Sequence, residues 1–151
     1  MFNKQNGIGL LELMLALAII AMMMVAASKY YKSTQLANRV QSAVESMQIL
    51  YAASERYVLD GGIYSSAGDL VADPLKSRGY LPQDFVGPWG SSIEAYKIDD
   101  THLQARILYV PYEGYMNMKD KLLGQAFVKG INYGGTKETP GTLFIDMDKE
   151  L

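Results

Sequence analysis

Apolar and polar positions divide the first sixty residues into two patterns. From Leu13 to Ala27 no residue is charged or strongly polar. With Ile8 to Glu12 the run reaches the roughly 20 residues that span a bilayer core. Its one carboxylate, Glu12, stands near its start, between Lys4 on one side and Lys29 and Lys32 on the other. From Ser28 to Asp60 the pattern becomes a stripe. Leu36, Val40, Ala43, Val44, Met47, Leu50, Tyr51, Ser54, Tyr57 and Val58 recur at spacings of three and four, which marks one face of a helix. Gln35, Asn38, Arg39, Ser42, Glu45, Gln48, Glu55 and Arg56 fall largely elsewhere. No Pro precedes Pro74, and no Gly lies between Gly9 and Gly61. One continuous helix from Ile8 to Leu59 is therefore predicted, closed by Gly61-Gly62. Its first half needs lipid or other helices on every side. Its second half needs packing on one face only.

The remaining chain switches to shorter periods. Asp69 to Phe85 reads as turn-rich, with helical pieces at Asp69–Ala72 and Leu75–Arg78. Gly87-Pro88-Trp89-Gly90 reads as a rigid turn. Strands are predicted at Ile93–Ile98 and Leu103–Val110, the second with Leu103, Ala105, Ile107 and Tyr109 alternating along it. Pro111–Phe127 fits a helix with Tyr115, Met118 and Leu122 on one face. Two more strands, Val128–Tyr133 and Thr142–Met147, flank a Gly- and Pro-rich loop. A long helix followed by about four strands is an α+β arrangement, with the sheet folded over the helix stripe.

Composition narrows what this fold does. The chain has 151 residues and a formal charge of −2, which does not point to a nucleic-acid binder. No cysteine is present, so neither disulfides nor thiolate metal sites are available. The single histidine, His102, reads as an exposed turn residue, and no motif joins it to a nucleophile. Asp146, Asp148 and Glu150 alternate along a strand and are the candidate for calcium, though without the glycine-bearing spacing of an EF-hand loop. The expectation is no enzyme, no catalytic residue, no metal and no cofactor. Lys29-Tyr30-Tyr31-Lys32 suits a membrane interface, where aromatics and lysines settle.

A secretory signal peptide is the alternative reading of the N-terminus, with Val25-Ala26-Ala27 before Ser28 as the cleavage site. Glu12 within the apolar run and the helical pattern continuing past Ala27 both count against it.

The stretch GIGLLELMLALAII, residues 7–20, resembles the processing site of type IV pilins and of the related type II secretion pseudopilins. The resemblance implies cleavage between Gly7 and Ile8 by a prepilin peptidase and N-methylation of Ile8. It also makes Glu12 the fifth mature residue, the family's assembly residue. The head is similar in order and spacing to type IVb pilins, including conjugative thin-pilus subunits. The likeness runs through Gly87-Pro88-Trp89-Gly90, Ile93 to Ile98, Arg106 to Pro111 and Gly130 to Gly135. Those pilins carry a disulfide whose first cysteine position falls here at Tyr115. Gly9 stands where many have threonine.

The implied domains are a leader (1–7), an apolar transmembrane and filament-core half-helix (8–28), an amphipathic half (29–60) and a globular head (61–151). The implied function is a type IVb-like pilus subunit, held in the inner membrane as a precursor and polymerised into a surface fibre for adhesion, self-association or conjugation. The alternatives are a type II secretion pseudopilin and a minor pilin with a binding head. The implied partners are further copies of the chain, the prepilin peptidase, the inner-membrane assembly machinery and, before assembly, the membrane; nucleic acid is not expected. Physics supports a role for Glu12. Within one helix it lies about 6 Å along the axis from the Ile8 amine, and a buried carboxylate is tolerated when it meets a cation. For the head, packing around Trp89, Tyr109, Tyr115 and Phe144 is expected to compensate for the missing disulfide.

Overall fold

The computed structural model describes residues 9–64, 68, 70–99 and 102–148. Helix α1 runs from Leu10 to Leu59, and two compact units divide within it, between Leu36 and Ala37.

In the first unit every residue from Gly9 to Gln35 is exposed. The helix is long and apolar enough to cross a membrane by length and composition. Two of its hydroxyls bond their own backbone: Ser28 Oγ donates to the Met24 carbonyl at 2.8 Å and Thr34 Oγ1 to that of Tyr30 at 3.0 Å. Such back-bonding spares a polar side chain from seeking a partner outside the helix.

The second unit holds the core. Val40, Ala43, Val44, Met47, Leu50, Ala53, Ser54 and Tyr57 form the buried face of α1. Tyr51 and Val58 of the expected stripe lie at its half-buried margin, Ala53 joins it, and Leu36 is a half-buried residue of the first unit. The helix ends as its glycines require. Gly61, at φ +80°, donates to the Val58 carbonyl and Gly62 to that of Tyr57, both at 2.9 Å. This is the Schellman arrangement, in which a left-handed residue closes the last turn.

Four antiparallel strands follow: β1 (Ile93–Lys97), β2 (His102–Val110), β3 (Val128–Gly134) and β4 (Gly141–Asp148). Their spatial order is β1-β2-β4-β3. Ile93 pairs with Ile107 and Ile107 with Leu143; Ala95 pairs with Ala105 and Ala105 with Ile145. These rows are buried, and β4 alternates along its whole length, as a strand with one covered face must. The buried face of the sheet and the buried stripe of α1 form one core, closed along its side by Met118 and Leu122 of α2 (Tyr112–Leu123). At the margin Tyr51 stacks on Phe127, with ring centroids 4.6 Å apart. A long helix with a small antiparallel sheet is an α+β arrangement like the type IV pilin fold.

Several boundaries differ from expectation. The two helical pieces predicted before residue 80 merge into one turn of π-helix, Val71–Leu75, running on to Ser77; Asp69 lies outside the described residues. Pro74 lacks an N–H, and the wider ring passes it by: Leu75 N donates to the Leu70 carbonyl at 3.1 Å. β1 stops one residue early because Ile98 N turns to the His102 carbonyl at 3.0 Å. α2 ends at Leu123 rather than Phe127, since Gly124 opens a turn in which Gln125 N donates to the Leu122 carbonyl at 2.9 Å.

The largest correction concerns Tyr109. Alternation along β2 places it inward beside Ile107. Instead the β2–β4 register shifts between Ile107 and Val110, Tyr109 takes φ 57°, and Val110 takes the buried position. Tyr109 is 69 % exposed and packs no core. The expected aromatic centre of the head is likewise peripheral: Trp89, Tyr115 and Phe144 are half-buried. The centre is aliphatic and methionine-rich, with Met47, Leu50, Ile107, Met118, Leu143, Ile145 and Met147 all close to fully buried. Each such side chain contributes about 1.5–3 kcal/mol of transfer free energy.

Candidate functional site

Gly7 and Ile8, the expected cleavage and methylation positions, lie outside the described residues. Glu12 does not. It stands in the first turn of α1, where Gly9 opens the helix: the Gly9 carbonyl accepts from Glu12 N at 2.9 Å and from Leu13 N at 3.1 Å. An acid at that end faces the positive pole of the helix dipole. Around it Leu10, Leu11, Leu13, Met14 and Leu15 are exposed, so one carboxylate sits in an otherwise apolar surface. In lipid or against another helix, such a group is stable only when a cation or hydrogen-bond donor meets it. The geometry thus combines a large apolar contact area with one position that demands a partner.

Further along, Tyr30 and Tyr31 are exposed beside Lys29 and Lys32. Gln35 Nε2 donates to the Tyr31 hydroxyl at 2.6 Å. Aromatic rings with polar tips between lysines fit the water-facing border of a bilayer.

The head candidates resolve differently. His102 is not a turn residue: it opens β2, is half-buried, and its Nδ1 lies 2.7 Å from Asp99 Oδ1. Asp146 and Asp148 share one face of β4 as predicted, and each already has a protein partner. Asp148 Oδ2 meets Lys129 Nζ at 2.6 Å and Asp146 Oδ1 accepts from Gln104 Nε2 at 2.9 Å. Glu150 lies outside the described residues, and among those described no group of three His, Asp or Glu stands ready for a metal ion.

Two tyrosine clusters escaped the sequence reading. At the end of α1, Tyr57, Tyr64 and Tyr80 meet ring to ring. The Tyr64 hydroxyl donates to the Ser54 carbonyl, and burial pushes its pKa up to about 12. Asp60, accepting the Tyr80 hydroxyl at 2.7 Å, raises that group's pKa too. At the other end Tyr133 accepts from Gly141 N at 3.1 Å and donates to the Val110 carbonyl at 2.8 Å, while its ring stacks on Tyr115. These contacts join residues far apart in the sequence, and periodicity carries no signal for them.

Comparison with known proteins adds one finding. A family model described as the prokaryotic N-terminal methylation motif matches residues 2–28. No curated protein matches, and no solved structure matches. The motif covers the residues before α1 and its apolar part, the stretch that carries Gly7, Ile8 and Glu12. Motif and helix together fit a membrane-anchored precursor of the type IV pilin and pseudopilin kind.

Proposed function

We propose that this chain is the structural subunit of a type IVb-like pilus. It enters the inner membrane through the apolar half of α1, is cleaved after Gly7 by a prepilin peptidase, and is methylated on Ile8. Assembly then packs the apolar half-helices of successive copies together. The observation that carries this reading is Glu12, the one carboxylate between Leu10 and Ala27, exposed in the first turn of a helix whose surrounding surface is apolar. Cleavage at Gly7 creates a free amine at Ile8. In a lone subunit Glu12 costs several kcal/mol at membrane depth, by order of magnitude. The amine of a neighbouring copy offsets that cost and fixes axial register. Adhesion, self-association or conjugation then falls to the head.

A type II secretion pseudopilin uses the same membrane helix and builds a short periplasmic structure. Immunogold imaging of fibres sheared from intact cells separates the two. Long fibres decorated along their length support the pilus reading; a subunit confined to the envelope overturns it in favour of the pseudopilin.

A further inference from the structure

On the sheet face opposite the core, half-exposed side chains form cross-strand rows. Pairing aligns Tyr96, Gln104, Asp146 and Gly130 in one row, and Glu94, Arg106, Phe144 and Asn132 in the next. The Arg106 guanidinium lies over the Tyr96 ring at 4.4 Å and over Phe144 at 5.4 Å. Its Nε donates to Gln104 Oε1 at 3.2 Å, and Gln104 Nε2 donates to Asp146 Oδ1 at 2.9 Å. This relay holds the Asp146 carboxylate in one orientation. Its other oxygen, Oδ2, takes no hydrogen bond among the described residues. Beside it stands Gly130, where a Cβ would sit 3.5 Å from Oδ2. The missing side chain leaves a groove of about 400 Å³ lined by Ile98, His102, Gln104, Lys129, Gly130 and Asp146.

We propose that this groove binds a neutral carbohydrate residue. The groove offers an oriented carboxylate acceptor at Asp146 and an ammonium donor at Lys129, whose Nζ rests 2.6 Å from Asp148 Oδ2 and 3.2 Å from His102 Nε2. A plain anion meets Asp146 and Asp148; a plain cation meets Lys129. A pair of adjacent sugar hydroxyls both donates and accepts, so it serves both walls without carrying charge. Ile98, 56 % exposed, supplies an apolar wall for the C–H face of a sugar ring. The volume falls within the roughly 300–1,000 Å³ of small-ligand sites. The site lies on the head sheet and does not depend on which fibre the subunit builds.

The test uses the full chain in a polyoxyethylene detergent, which has no sugar headgroup. Methyl β-glucoside, methyl β-galactoside, methyl α-mannoside and the methyl glycoside of N-acetylglucosamine are titrated, with glycine betaine as the charge-balanced control. Saturation-transfer NMR reads binding. At least one sugar is expected to saturate. Gly130→Val adds a side chain at ordinary contact distance on an edge strand, where a β-branched residue is well suited. It is expected to keep the melting temperature and weaken sugar binding roughly tenfold or more, about 1.4 kcal/mol. Asp146→Asn, which keeps an oxygen for Gln104, is expected to weaken binding in the same direction. Saturation by no sugar, saturation by betaine alone, or Gly130→Val binding as wild type overturns the proposal.

Discussion

Tyr115 of α2 and Tyr133 of β3 lie face to face, their ring centroids 4.7 Å apart and their planes 5° from parallel. Tyr112 meets both rings, at 6.1 and 6.0 Å. The stack therefore ties the start of α2 to the edge strand. Tyr133 in turn bonds Val110 and Gly141, so one aromatic group joins the ends of β2, β3 and β4. The cluster is thereby a non-covalent tether between parts of the head that are far apart in the sequence.

Tyr115→Ala removes half of that stack. The expected loss is about 1–3 kcal/mol, read as a fall of several degrees in the thermal unfolding of the full chain in detergent. An unchanged melting temperature contradicts a tethering role.

Tyr109→Gly is expected to act in the opposite direction. The left-handed backbone costs a bulky L-residue about 1–2 kcal/mol, and glycine removes that cost while giving back part of it as chain entropy. With the ring already 69 % exposed, little packing is lost. A net gain of about 0.5–1 kcal/mol is expected in denaturant unfolding, and a clear loss would show that the ring makes a contact of its own.

The Tyr64 hydroxyl sets an alkaline limit. Its folded pKa, pushed up to about 12, exceeds the ordinary value near 10. The neutral form is therefore the one that folding favours. Its contribution is fully present below pH 10 and is lost as pH rises through about 12. Tyr64→Phe is expected to lower stability at neutral pH by about 1 kcal/mol, through loss of the bond to Ser54. It should also flatten the decline between pH 10 and 12. An unaltered alkaline profile would assign the decline to other groups, Tyr80 first among them.

Much of this was legible in the chain. The helix was readable because two hydrophobic patterns join with no Pro or Gly between Gly9 and Gly61. The strands were readable because burial on one face imposes alternation, as β4 shows throughout. What periodicity cannot carry is a change of phase inside an element. The bulge at Tyr109 inverts the reading from that residue onward, and so removes Tyr109 from the expected core. The relay from Arg106 through Gln104 to Asp146 was hidden for a related reason. It runs across strands, and pairing register is set by three-dimensional contacts. At the membrane end Glu12 was visible at once, as the one charge in the apolar run.

Glu12→Ala is expected to enter the membrane and be cleaved normally, since a more apolar helix inserts at least as well. Expressed beside wild-type subunits, it should be absent from fibres. Recovery of the variant in fibres in proportion to its membrane pool would remove the pairing role from Glu12.

Under the proposed function the apolar half-helix is kept and only residues 1–7 before it are removed. Intact-mass spectrometry of the subunit from sheared surface fibres tests this most directly. The expected product is a chain beginning at Ile8 and bearing one N-methyl group. A chain that retains Met1, or one that begins at Ser28, contradicts it.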